Sequence, residues 1–379
     1  MKKPDYLNTG ECNSFASFTV TRRFRPIVRS VIDNNNFDNK ITDELEILYA
    51  GIPDGELKPL SDSSAVFETM NAEIKNHKYR WNNAPFIFAE NYLYHRLKEI
   101  CDFSGTKYDY FAFKKDNDVL SKKDGLLTAI ENFAKLCDDG SSESLSDLMR
   151  FNLSGNTADL SQIKTINKND ITLLIDDTEK AREIFSVAKQ IDIVLDNSGE
   201  ELFYDILFSY WILNKTDTKF VNLHFKSFPY FVSDAMIKDF YFLLRVLSSD
   251  KQGKKFCDLV LDCVARGNIV LLEDSYWTDS NDFNQIPENI KRCFSKSDLI
   301  IFKGDLNYRK LVEDRHWNYD TETREIMTCK EYNCLIIRVL KSELITNLND
   351  VPDAENNEWM HNGKCGIIQF VERGCSGPG

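Results

Sequence analysis

The sequence predicts an α/β protein in two parts, a helical region over residues 1–170 and a strand-rich region over 171–379. Three observations carry this. No convincing strand pattern occurs before about residue 170. After it, short apolar runs at 191–195, 219–224, 269–272, 298–302 and 334–337 are separated by segments of helical periodicity. Several of these runs stop abruptly in polar and charged clusters, and open α/β sheets bind ligands just beyond the carboxyl ends of their strands.

At 379 residues the chain is long enough for two domains. A net charge of −13 argues against a nucleic-acid backbone as partner and gives no attraction to an anionic membrane surface. No apolar run approaches membrane-spanning length, and no apolar segment follows Met1-Lys2-Lys3-Pro4-Asp5. The ten cysteines are scattered and form no Cys-x-x-Cys pair, which points to free thiols in a reducing, cytoplasmic compartment. A zinc site is not expected, because the five histidines do not cluster with cysteine at ligand spacing along the chain.

In the helical part, Phe24, Ile27, Val28, Val31 and Ile32 mark a first amphipathic helix. The strongest helix of this half spans 85–101, with Asn83 expected as N-cap and Pro85 in the first turn. Glu90 sits among its aromatic residues and is either paired in the core or turned to a site. Further helical pieces follow at 124–137 and 143–151.

The strand-rich part opens at 171–177 with an edge strand or connector. The run Ile193-Val194-Leu195 then reads as a buried strand that ends in Asp196-Asn197-Ser198-Gly199-Glu200-Glu201. Asp196 and Asn197 offer hard oxygen donors suited to Mg²⁺ or Mn²⁺; a plain turn with an N-cap is the other reading. The next strand, Lys219 to His224, runs into Phe228-Pro229-Tyr230-Phe231-Val232-Ser233-Asp234, and Asp234 could converge with Asp196. His224 itself reads as a packed or hydrogen-bonded histidine. The strand at 298–302 ends in Lys303-Gly304-Asp305-Leu306-Asn307-Tyr308-Arg309-Lys310-Leu311, where acids and bases surround a glycine that lets backbone approach a ligand. That mixture suits a phosphate or metal-phosphate, although it is not a Walker loop. Cys334 to Ile337 is the last central strand and runs into Arg338-Val339-Leu340-Lys341; Gly363 to Phe370 is expected as an edge strand.

Taken in order, these four strand-end clusters resemble the metal-dependent damage-control phosphatases, the family of domain of unknown function 89. The likeness is to the branch named for methyl transfer to acidic residues, with its sugar-phosphate phosphatase relatives. Trp81 through Arg96 and Tyr108-Asp109-Tyr110-Phe111 with Lys114-Lys115 look like segments of that branch, and Lys303 to Leu311 is the most specific motif. Glu200 and Val339 depart from it: the branch carries a large apolar residue and a threonine there.

The resemblance implies a three-layer α/β/α Rossmann-like sandwich preceded by a helical bundle. It implies that Asp196, Asn197 and Asp234 hold a divalent metal (Mg²⁺, Mn²⁺, Co²⁺ or Ni²⁺). Asp305, Leu306, Asn307, Tyr308, Arg309 and Lys341 would hold the phosphate and sugar of the substrate, with Asp196, Asn197 and Glu201 lining the same pocket. The implied activity is hydrolysis of sugar phosphate monoesters such as fructose 1-phosphate, with Asp196, Asp305 and Lys341 as catalytic groups. Lys341 and Arg309 would neutralise phosphoryl oxygens while Asp305 orients Lys341 or a water. The nucleophile, water or a carboxylate such as Asp196, stays open. The rival reading is an S-adenosylmethionine-dependent protein-glutamate O-methyltransferase, since Glu201 and Asp234 match cofactor positions in the branch named for that reaction. No glycine-rich cofactor loop supports it.

Overall fold

The computed structural model describes residues 2–61, 65–139, 143–154, 171–279, 286–353 and 356–374. Its centre is a seven-stranded sheet: β1 Thr172–Asp176, β2 Gln190–Val194, β3 Phe220–Phe225, β4 Ile269–Glu273, β5 Leu299–Lys303, β6 Cys334–Val339 and β7 Cys365–Val371. The spatial order is β1-β7-β6-β5-β2-β3-β4. Every neighbouring pair is parallel except β6 with β7. The central strands are covered on both faces, so all five residues of β5 are buried and the strand reads as a continuous apolar run.

The chain moves outward from β2 through β3 to β4, then returns to place β5 on the other side of β2. The strand order therefore reverses between β2 and β5. A crevice opens beyond the carboxyl ends of two strands at such a point.

One position differs from expectation. The strand at 365–371 is not an edge; it lies between β1 and β6, and β1 is the edge. Ile367 and Ile368 are both fully buried, one toward each face. A short apolar run of this kind does not reveal its place in the sheet from periodicity alone.

One face of the sheet is covered by the helices Thr178–Val187, Glu200–Lys215, Ile237–Leu247 and Lys251–Ala265, together with Ala112–Asp139 and Glu143–Ser154. The opposite face carries Trp277, the helices Glu288–Phe294 and Gly304–Leu311, and the segments 312–332, 340–353 and 356–360. A third core joins the helices Phe24–Asn34, Asn39–Gly51, Ala65–His77 and Phe86–Ile100 to Phe228, Tyr230, Met236 and Leu306. This helical cap thus rests on the segments that follow β3 and β5. The helices Ala112–Asp139 and Glu143–Ser154 precede the expected boundary at 170/171 yet share the core of the sheet's helical layer; residues 155–170 themselves lie outside those described.

The helix at Phe86–Ile100 begins differently from its expected start. Asn83 Oδ1 accepts from Arg80 N at 2.7 Å, closing the preceding turn. The helix is instead capped from a distance, with Ile87 N donating to Asp314 Oδ2 at 3.0 Å. Histidine and cysteine also meet in space despite their spacing: ligand atoms of Asp192, His224 and Cys293 lie within 4.8 Å of one another. The eight cysteines whose side chains are described are free thiols. Among the described residues no helix is long and apolar enough to cross a membrane.

Candidate active site

The end of β2 is locked to the segment after β3. Ala235 N donates to Asp196 O at 2.8 Å and Ser198 N to Ser233 O at 2.7 Å. Ser233 Oγ donates to Asn197 Oδ1 at 2.6 Å. The Asn197 amide nitrogen in turn donates to Asp196 Oδ2 at 2.7 Å and Glu201 Oε2 at 2.9 Å. Glu201 sits in the first turn of the helix Glu200–Lys215, where a negative charge is favoured. Gly199 begins that helix at φ +71°, and a β-carbon there would strike the Asp118 carboxylate. Phe231 and Val232 both adopt positive φ, 43° and 69°, which is strained backbone for a β-branched valine. The kink swings Ser233 and Asp234 onto the Asp196 turn.

Across the crevice, Asp305 Oδ1 accepts from Lys341 N at 3.2 Å and Ser342 Oγ at 3.1 Å. Arg338 Nη2 stands 2.8 Å from the same oxygen, and the guanidinium lies 4.0 Å from the centre of the Tyr308 ring. The carboxyl ends of β5 and β6 are tied together by these contacts.

The remaining residues of the 303–311 motif diverge. Lys303 Nζ bonds Asn152 O at 2.9 Å and Asp205 at 3.0 Å and lies 3.3 Å from Glu201. Leu306 packs in the cap core. Asn307 donates to Lys303 O at 2.7 Å and Leu195 O at 3.2 Å, fastening its helix to β2. Tyr308 bonds Thr346, Lys310 bonds Tyr276 O, and Arg309 is enclosed by Glu90 and Asp314 at 2.5–2.9 Å. Leu306, Asn307, Tyr308 and Arg309 are therefore all buried behind the crevice, and Glu90 is a paired core carboxylate.

Asn197 and Lys341 line an open cavity of about 510 Å³ directly. Asp196, Glu201 and Asp234 adjoin Asn197, and Asp305 adjoins Lys341. The other wall, which sequence reasoning did not supply, is the helix Ala112–Asp139 with Lys114, Asn117, Asp118 and Ser121, together with Ser198 and Ser233. Two buried lysines also support Asp234: Lys115 Nζ donates to its carbonyl at 3.2 Å, and Lys226 Nζ stands 3.5 Å from its Oδ2. A charge directly after strand β3 was the available signal for Lys226.

Burial, reinforced by the charges of Glu201 and Asp234, holds the Asp196 carboxyl well above the usual range. Burial also pushes Asp234 up to about 6, against the pull of Lys226 and Lys115. For Lys341, burial alone would lower the ammonium, yet the charges of Asp196, Glu201, Asp305 and Asp234 leave it raised. Carboxylates crowded in this way call for a cation. The donor set fits a hard divalent ion. Asp234 Oδ2 makes no close hydrogen bond, its nearest partner being Lys226 Nζ at 3.5 Å. The Asn197 amide lies between two carboxylates, where a half-turn would present its oxygen.

Crowded carboxylates facing Lys341 at the topological switch point of an α/β sheet are the arrangement of a metal-dependent hydrolytic enzyme. The chain belongs to the damage-control phosphatase ARMT1-like family: the model of that domain matches residues 19–356. It is 29% identical over 333 residues to the damage-control phosphatase ARMT1 of Bos taurus, covering 77% of this chain and 76% of the relative. It is 27% identical over 433 residues to the Rattus norvegicus protein of the same name, covering 97% and 99%. The crystal structure of a DUF89 family protein from Pyrococcus horikoshii shares the fold, with a TM-score of 0.51 at 14% identity over 94% of this chain and 98% of that one. The family makes this chain an enzyme, a metal-dependent phosphatase.

Proposed function

We propose that the enzyme hydrolyses sugar phosphate monoesters of the fructose 1-phosphate type, in a damage-control role in the cytoplasm. The observation that carries this reading is the cavity between Asn197, with Asp196 and Asp234 beside it, and Lys341, whose remaining wall is amide, hydroxyl, lysine and the Asp118 carboxylate, with Leu120 as its apolar residue. Such a wall suits a polyol carrying a phosphate better than an apolar ester.

Asp196, Asn197 and Asp234 would hold Mg²⁺, Mn²⁺, Co²⁺ or Ni²⁺. When bound, the ion supplies Lewis-acid polarisation of the phosphoryl group. Lys341 binds the phosphoryl oxygens, its charge maintained by the surrounding acids. Asp305 fixes the Lys341 backbone and balances Arg338. Glu201 orients the Asn197 amide. Asn307, Tyr308 and Arg309 act from behind, holding the 304–311 helix against β2, the 346 loop and the cap. Attack at phosphorus is in line, by water or by the Asp196 carboxylate. Carboxyl methyl transfer gains no support from this site and is not carried further.

The test is phosphate release from a panel of hexose and pentose phosphates with each metal in turn and with EDTA. Metal-dependent release that ranks fructose 1-phosphate or a close relative highest supports the proposal. Release confined to esters without a sugar contradicts it.

A further inference from the structure

The second cluster of charged and metal-binding groups lies inside the sheet. Asp192 is fully buried on β2, four residues before Asp196, roughly 13 Å away along an extended strand. Its carboxylate is met by Asn222 Nδ2 at 3.1 Å, His224 Nε2 at 2.6 Å and Cys293 Sγ at 3.1 Å, and also by Ser297 Oγ. Asn222 and His224 come from the neighbouring strand β3, on the same face. Cys293 comes from the helix Glu288–Phe294 that covers it. Trp277 and Phe294 wall the imidazole, with ring centres 5.2 and 5.6 Å away.

We infer that Asp192, His224 and Cys293 form a structural site for a zinc-class divalent ion, separate from the catalytic cation. One imidazole, one thiolate and one carboxylate are a borderline-soft set that selects zinc, whereas the oxygen donors of the active site select harder ions. Asn222 faces the same point, its Nδ2 3.3 Å from Cys293 Sγ, and a turned amide would offer a fourth donor. A tetrahedral ion holds such ligands roughly 3.3–3.7 Å apart. The present separations of 2.6 and 3.1 Å therefore widen by about 1 Å or less, within the reach of small side-chain rotations.

The exchange balances in charge. The ion displaces the thiol proton of Cys293, which leaves to solvent, while His224 ligates through Nε2 as the neutral imidazole with its one proton on Nδ1. The thiolate and carboxylate then neutralise the divalent charge, so burial does not oppose the bound state. Cys293 is only partly buried, which leaves a route from the surface. A bound ion would pin the 288–294 helix across β2 and β3.

The experiment is a cobalt titration of the EDTA-treated full-length protein, read by absorption. Only a cysteine ligand gives a thiolate-to-cobalt charge-transfer band, and the active site holds none. The expected result is a band that saturates by two equivalents in the wild type, where the active site also takes cobalt, and at one in Asp196→Ala. Asp196→Ala retains it, Cys293→Ser abolishes it, and His224→Gln weakens cobalt binding on the order of a hundredfold. Absence of the band in the wild-type protein at saturating cobalt, or its survival in Cys293→Ser, overturns the inference. The wild-type spectrum decides the matter even if a variant fails to fold, and neither outcome depends on phosphatase activity.

Discussion

Gly304 and Asp196 face each other across the gap between β5 and β2 with no room for a methyl group. A β-carbon at 304 would lie 2.1 Å from the Asp196 carboxyl, and the residue holds φ +79°. The close approach lets the end of β5 support the carboxylate at the end of β2. Gly304→Ala should cost about 1–3 kcal/mol of stability and displace Asp196. Calorimetric titration with Mn²⁺ should show affinity lowered by at least an order of magnitude. An unchanged titration would show that Asp196 does not hold the ion.

Asp305 balances a fully buried guanidinium. Arg338 Nε and Nη1 have no hydrogen-bond partner among the described residues, so the Asp305 charge is its main compensation. Asp305→Asn should destabilise the protein by about 3–5 kcal/mol, the cost of stranding a buried charge. Turnover in the folded fraction should also fall, because the Lys341 segment loses its anchor. Full turnover in that variant would remove the charge of Asp305 from the mechanism.

Arg309 separates two roles that its place in the motif leaves open. Enclosed by Glu90 and Asp314, it links the 304–311 helix to the cap rather than facing the cavity. Arg309→Met should lower stability by about 3–5 kcal/mol, while the KM for a phosphate ester stays near the wild-type value. A KM rise without loss of stability would return Arg309 to the phosphate.

The pH dependence follows from Asp196 and Asp234. Both carboxyls are raised in the fold, Asp234 to about 6, so the folded chain binds these protons more tightly than the unfolded chain. Ionisation of Asp234 thus opposes folding above about pH 6, and ionisation of Asp196 opposes it too. For the metal-free protein that penalty, on the order of 1–3 kcal/mol, is relieved as pH falls through about 6 towards 4. Cation affinity moves the other way and weakens over the same interval. Melting temperatures of the EDTA-treated protein across this range, with and without added Mn²⁺, check both signs. Asp196→Asn should raise the metal-free melting temperature, since it removes one of the crowded charges.

The strand ends are legible in the sequence because β2, β3, β5 and β6 are covered on both faces. Each apolar run stops where the chain reaches the crevice, and Asp196, Asn197, Asp305 and Lys341 follow within a few residues. The outer wall is not legible. Lys114, Asn117, Asp118 and Ser121 precede the helical piece read at 124–137, and the packing of the helix Ala112–Asp139 against Glu200–Lys215 and Ile237–Leu247 brings them to the cavity. The 303–311 motif misleads for a related reason. Its charges are adjacent in sequence, but the end of β5 sends Lys303, and the helix beginning at Gly304 turns Arg309 and Lys310, toward separate partners supplied by distant segments. The Asp192–His224–Cys293 cluster is invisible to spacing, since strand pairing and a covering helix assemble it.

The most direct test is phosphate release from fructose 1-phosphate by wild type and Asp196→Ala, each with Mn²⁺ and with EDTA. The account predicts release only by the wild-type enzyme with the metal present. Equal release by the variant, or release undiminished by EDTA, would contradict a cation held at the end of β2 as the centre of catalysis.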